Sequence, residues 1–269
     1  MFTANSLTNT MPKCLKPNGI HMIGAVEKYL KDRVKDDGAI HITLIDPEKV
    51  DAKSASHVTR VAESCQTAAI MVGGSTVIST SHLDEVVKAI KKSVRIPVIL
   101  FPNNITGISK YADAMWFMSL LNSADPYFII GAQVLGAQLI KRLGLEAIPM
   151  GYIVIGEGGA TGVIGRVCSI PFSKPELAVA HALAAEYFGM RFVYLEAGSG
   201  AKQSVPQSMV KMVKNSTNVT LIVGGGIKDG KQAREIVDAG AQIIVTGTVA
   251  EESKIKEKLA EIVTHIRAR

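Results

Sequence analysis

Eight short apolar stretches rich in Val, Ile and Leu recur along the 269 residues, and segments with helical spacing separate most of them. The strands read at 39–45, 68–72, 96–101, 112–121, 146–155, 192–195, 219–223 and 242–245. Helices read at 23–35, 54–64, 83–92, 129–143, 175–188, 207–214, 231–239 and 251–266. The first places Ile23, Val26, Leu30 and Val34 at helical spacing. Strand alternating with helix implies a parallel sheet covered on both faces. A count of eight favours a closed (β/α)8 barrel over an open doubly wound sheet. Aromatics are only 5% of the chain, as an aliphatic barrel core requires.

One unit breaks the rhythm. Only about ten residues join the third strand to the fourth. A full crossover helix with its turns needs a dozen or more. The expected fold is therefore an α/β modified (β/α)8 TIM barrel whose third helix is replaced by a loop or short turn. Residues 1–20 read as a loose polar N-terminal extension, and 21–269 as a single catalytic barrel domain.

Charge and cysteine usage narrow the function. The net charge of +6 is spread along the chain, which suits an anionic substrate and gives no nucleic-acid face. Three cysteines without CxxC spacing fit neither a zinc site nor a disulfide framework, so a cytoplasmic location is expected. No apolar run approaches the ~20 residues of a membrane helix. No G-x-G-x-x-G leads from strand to helix with an acid about 20 residues on, which leaves a dinucleotide site without support.

Barrel sites lie at the C-terminal ends of the strands, and phosphates are held after the last ones. Three successive ends here are built from small residues: Tyr194-Leu195-Glu196-Ala197-Gly198-Ser199-Gly200, Val223-Gly224-Gly225-Gly226 and Val245-Thr246-Gly247-Thr248. Glycine lets backbone N–H groups come close to an anion. A phosphate monoester is the expected ligand. Glu196 is the one carboxylate among these donors, either a general base or hydroxyl-binding acid, or one half of a rim salt bridge. Tyr194 shares its strand face and can bond the ligand or fill the barrel. At the other side Asp46 and Ser75 form a half-site for Mg2+, a hard cation that takes one or two carboxylates and substrate phosphates. Asp46, ahead of Pro47, can instead cap a helix. His41 reads as a core histidine. The longest glycine-rich loop spans 156–162.

These motifs, with His41-Ile42-Thr43-Leu44-Ile45-Asp46-Pro47-Glu48-Lys49, Val72-Gly73-Gly74-Ser75 and Phe117-Met118-Ser119-Leu120-Leu121-Asn122-Ser123, resemble the geranylgeranylglyceryl phosphate synthases of archaea. The resemblance implies a prenyltransferase on a barrel that lacks its third helix. It joins geranylgeranyl diphosphate to the 3-hydroxyl of sn-glycerol 1-phosphate, forming the first ether bond of archaeal membrane lipids. By the same resemblance Asp46 and Ser75 hold Mg2+. Tyr194, Leu195, Glu196, Ala197, Gly198, Ser199 and Gly200 bind glycerol phosphate with Gly225, Gly226, Gly247 and Thr248, and Glu196 and Tyr194 serve catalysis. Thr248 departs from the asparagine often found there, although a hydroxyl or backbone N–H still meets a phosphate. Phe101, Trp116, Phe117, Tyr127 and Phe128 surround the broken unit and suit the C20 tail. A longer, heptaprenyl donor is the neighbouring alternative, and a metal-free sugar-phosphate isomerase or lyase the distant one. An amphiphilic product suggests peripheral membrane contact. A homo-oligomer is expected, with the small-residue helix at 129–143 as a contact.

Overall fold

The structure, a computed structural model, describes residues 23–74, 76, 79–247 and 254–267. The expected extension at 1–20 lies outside the described residues, as do Ser75 and Thr248. Helix α1 (Ala25–Asp37) comes first, followed by β1 (Ile40–Ile45), α2 (Ala52–Ser64), β2 (Ala69–Val72) and α3 (Thr80–Ser93). Strand β3 (Val98–Leu100) is joined to β4 (Ala114–Leu120) by one 3-10 turn, Ile105–Gly107. A π-helical turn, Tyr127–Gly131, opens α4 (Ala132–Leu143). Then come β5 (Glu146–Val154), α5 (Gly159–Ile164), α6 (Pro175–Tyr187), β6 (Phe192–Glu196) and α7 (Gln207–Ser216). The chain ends with β7 (Thr220–Gly224), α8 (Gly230–Asp238), β8 (Ile243–Thr246) and α9 (Ile255–Arg267).

The eight strands form a closed parallel barrel in sequence order, with β8 paired back to β1. The third helix is replaced by the short turn, as its spacing requires. Alternate strand residues face two separate cores. Ile42, Met71, Ile99, Met150, Phe192 and Ile222 fill the barrel. Ile45, Val72, Leu100, Ile153, Leu195 and Val223 pack under the helices. Val26, Leu30 and Val34 of α1 join the inner core, so that α1 closes the N-terminal end. Its first N–H groups have no helical acceptor. Glu146 takes them, accepting from Val26 at 2.8 Å and Glu27 at 2.7 Å. Glu27 is itself buried, and pairs with Arg191 and with Lys31 at 2.9 Å. A buried carboxylate needs such partners.

Two local readings change. The glycine-rich loop at 156–162 contains the start of a short helix, α5. Glu196 closes β6 rather than opening the loop, and lies in register with Val154 and Gly224. His41 is a satisfied core residue. Thr67 donates its hydroxyl to the His41 carbonyl at 3.0 Å, so it accepts from Nδ1 at 2.9 Å. That leaves Nε2 to accept from the Thr246 hydroxyl at 2.9 Å. Burial pushes the imidazole down to about 3, so it stays neutral.

Candidate active site

One cleft opens at the C-terminal end of the barrel and holds about 1520 Å³, its open mouth included. Asp46, Tyr194, Glu196, Ser199, Gly200, Gly225, Gly226 and Gly247 all line it. The strand-end residues read from both halves of the sequence thus meet in one space. Leu195 and Ala197 face away, into the packing beneath the helices.

Glu196 is 6% exposed and accepts a hydrogen bond from the Gly198 N–H at 2.6 Å. The Tyr194 hydroxyl donates to the same carboxylate. Among the described residues no ion pair reaches Glu196, which removes the rim salt bridge as its role. Burial raises its pKa, and the bonds from Tyr194 and Gly198 partly offset that. A carboxylate raised in this way takes a proton more readily than a solvated one. Gly225 has a φ of +80°, and a Cβ there would fall on Glu196 Oε1. Glycine is therefore needed twice over, for conformation and for space. The N–H groups of Gly200, Gly225 and Gly226 donate to no backbone carbonyl among the described residues. Such groups at successive strand ends suit an anion.

Beneath Glu196 lies an aromatic floor. The Tyr152 and Tyr194 rings are 5.3 Å apart, and Phe101 stands 5.3 Å from Tyr152 and 5.8 Å from Tyr194. Both phenols are pushed well above their ordinary range, first by burial and then by the Glu196 charge. Thr161 hydrogen-bonds the Tyr152 hydroxyl. Tyr152 and Thr161 escaped the reading of the sequence. The signal for Tyr152 was its register with Tyr194, which only the paired strands disclose. Thr161 sits in the loop after β5, and no local pattern marked it.

Opposite Glu196, Asp46 lines the mouth after β1. It does not cap α2: Asp51 does, accepting from the Ser54 N–H at 2.7 Å. Asp46 Oδ1 instead accepts from the Glu48 N–H at 3.1 Å, which shapes its own loop. Gly74 stands against it, and a Cβ there would come within 2.5 Å of Asp46 Oδ1. Thr76 binds Glu48, and Asn103 binds the Thr76 carbonyl, so three strand-end loops are tied together around Asp46. No cluster of three or more His, Cys, Asp or Glu capable of holding a metal occurs among the described residues. One carboxylate at an open mouth still suits Mg2+, which completes its shell with water and substrate oxygens.

From the mouth the cleft runs outward through the broken unit. Ile105, Ile108, Met115, Phe117, Phe128, Gly136 and Ile140 line this part. Phe101, Trp116, Phe117 and Phe128 are on its wall, and Tyr127 is not. Tyr127 stacks edge-on against Phe128 at 5.2 Å. Trp116 is also core, packed on Phe192 at 5.1 Å with Nε1 donating to Met71 Sδ at 3.1 Å. Ala132 and Gly136 of α4 face the cleft, where their small size leaves room.

Fold and site together define a (β/α)8 barrel with glycine N–H groups and a buried carboxylate at one end of a cleft and an apolar trough at the other. The comparisons place it more closely. The PcrB family model matches residues 30–266. The geranylgeranylglyceryl phosphate synthase of Thermofilum pendens is 52% identical over 247 residues, covering 91% of this chain and 96% of that protein. That of Pyrococcus abyssi is 52% identical over 244 residues, covering 89% and 97%. A crystal structure of the (S)-3-O-geranylgeranylglyceryl phosphate synthase from Thermoplasma acidophilum, in complex with substrate sn-glycerol-1-phosphate, superposes with a TM-score of 0.87. It is 40% identical and covers 91% of this chain and 99% of that one. The chain belongs to the PcrB family and groups with its geranylgeranylglyceryl phosphate synthases.

Proposed function

We propose that this chain transfers the geranylgeranyl group from its diphosphate to the 3-hydroxyl of sn-glycerol 1-phosphate, releasing diphosphate. The observation that carries the reading is the shape of the cleft: a buried carboxylate and glycine-rich strand ends at one end, continuous with an apolar trough at the other. Kinship with the archaeal synthases supports it.

The residues divide the work. Backbone N–H groups at Gly200, Gly225 and Gly226, with Ser199 and Gly247 on the same cleft wall, take the glycerol phosphate, and Thr248 is assigned to it by the resemblance alone. Glu196 accepts the proton of the attacking 3-hydroxyl, and its raised pKa suits that task. Tyr194 fixes the carboxylate. Asp46, with Ser75, would hold Mg2+. Bound there, the ion would neutralise the charge growing on the departing diphosphate. Phe101, Tyr152 and Tyr194 line the same cleft, and aromatic rings there would favour the positive charge that develops on the allylic carbon. Holding the two reactants together accounts for much of the rate. A homo-oligomer belongs to the same proposal: Ile130 of the π-helical turn and Val134, Leu135 and Leu139 of α4 are exposed, and sedimentation velocity tests it.

A mass-resolved turnover assay tests the reaction. It contains geranylgeranyl diphosphate, each glycerol phosphate enantiomer separately, and Mg2+ or chelator. Ether product from the 1-phosphate alone, lost with chelator, is expected. Product from neither enantiomer would overturn the reading.

A further inference from the structure

The lips of the cleft carry aliphatic side chains that face solvent. Ile105, in the turn between β3 and β4, is 41% exposed, and Ile164, in α5, is 43% exposed. Both also line the cleft. Beside Ile164, Val163 is 79% exposed. An aliphatic side chain held out so far costs solubility and contributes nothing to the core.

The platform beneath Val163 is firmly built. The Ser123 hydroxyl donates to the Gly165 carbonyl at 2.6 Å, and the Ala124 N–H to the Arg166 carbonyl at 2.9 Å. The Val167 N–H closes back on Gly162 at 3.0 Å. Gly165 admits no side chain, because a Cβ would meet Leu120 Cδ2 and the Thr161 carbonyl. The loop therefore presents Val163 outward by construction.

Basic side chains stand at the same end of the barrel as these lips. Arg166 follows α5 with 74% of its side chain exposed, and its pair with Asp125 is long, at 3.5 Å. Lys174 is 58% exposed and 3.7 Å from Glu176. Lys202 and Lys228 are exposed on loops at the same end of the barrel, while Glu48 and Glu157 are exposed acids there. The whole chain carries +6. Aliphatic tips with exposed basic residues at the same end of the barrel match an anionic bilayer surface, into which apolar groups dip while basic groups meet the head groups.

We propose that Ile105, Val163 and Ile164 seat the cleft mouth on an anionic lipid surface, so that the prenyl donor passes from bilayer to trough without crossing water. The inference rests on the prenyl-transfer reading, and it assigns that site its source of donor. The test is flotation of the full chain with neutral and with anionic phospholipid vesicles, measured without donor. It is paired with turnover of donor presented in vesicles or dispersed in detergent.

The parent chain floats with anionic vesicles at low salt and is released by high salt. Val163→Asp lowers the bound fraction and the vesicle-donor rate by about tenfold. Its rate on detergent-dispersed donor is unchanged, and Val163→Leu restores flotation. Equal flotation of Val163→Asp and parent would overturn the proposal, as would a parent that floats with neither vesicle. A changed sedimentation coefficient in Val163→Asp would also overturn it, by making the patch a subunit contact. Absence of turnover in detergent would instead sink the prenyl-transfer reading itself, and flotation without donor keeps the two failures apart.

Discussion

Around Glu196 the cleft is walled by backbone, and around Gly136 it is walled by aliphatic side chains. The first region is the end of β6, β7 and β8, where glycines bring N–H groups and one buried carboxylate together. A side chain on Gly225 would displace Glu196. The second region owes its existence to a missing element. Where a regular barrel carries a third helix, one turn at Ile105–Gly107 leaves the outer face of β4 and the inner face of α4 uncovered. The difference shows how one scaffold builds two unlike surfaces. One is made of fixed dipoles on strand ends, and the other is an apolar wall made by subtracting packing.

The largest effect is expected at the mouth between the two regions. Asp46→Ala should lower kcat by roughly 10³-fold, since a bound metal contributes several kcal/mol of charge stabilisation. Affinity for glycerol phosphate should hold, as titration calorimetry would detect. Equal loss of rate and affinity would remove Asp46 from the diphosphate side.

Glu196→Gln should cost about 10²-fold in kcat, the lower end of what losing a general base costs. The pH profile sharpens the point. Burial raises the Glu196 pKa, so the carboxylate gains its proton, and activity falls, at a higher pH than an ordinary carboxylate near 4.3. The acid limb should vanish in Glu196→Gln. A limb that persists would assign the base elsewhere.

A smaller, selective loss is expected in the trough. Gly136 is buried against Ile108, and its Cβ position lies 3.4 Å from Ile108 Cδ1. Gly136→Leu should reduce kcat/KM for a C20 donor by about tenfold, since overpacking costs typically 1–3 kcal/mol. A C5 allylic donor should be used as before. Equal loss for both donors would mean that the tail lies elsewhere.

The last effect is on stability and leaves the rate at neutral pH untouched; it lies behind the glycine-built half, where His41 anchors Thr246. The unfolded imidazole binds a proton near pH 6.5, and the folded one only near pH 3. Between those values the unfolded state holds more protons, so stability rises with pH and is lost on acidification. The contribution is about 1.4 kcal/mol per pH unit across that window. Urea unfolding of parent and His41→Gln should show their difference shrinking by that slope below pH 6.5. A constant difference would leave His41 without a proton-linked role.

What could be read beforehand follows the same division. Strand ends and glycines are local features, so Glu196, Gly225, Gly226 and Gly247 were legible from spacing alone. The broken third unit was legible because a crossover helix needs a minimum length. Tyr152 was hidden, since its partnership with Tyr194 depends on register between strands more than 40 residues apart. The reading of 129–143 as one regular helix missed the π-helical turn at Tyr127–Gly131, which changes the rotation per residue, and Tyr127 lies off the trough wall. Gly136 and Ala132 read as helix-contact residues, yet their small size serves an open space that no local pattern could disclose.

The most direct test of a two-part cleft is a crystal structure with glycerol phosphate and a non-reactive thio-analogue of geranylgeranyl diphosphate. The phosphate should lie on Gly200, Gly225 and Gly226, the diphosphate beside Asp46, and the tail between Ile108, Phe117 and Gly136. A tail lying anywhere outside the gap of the third unit would contradict the account.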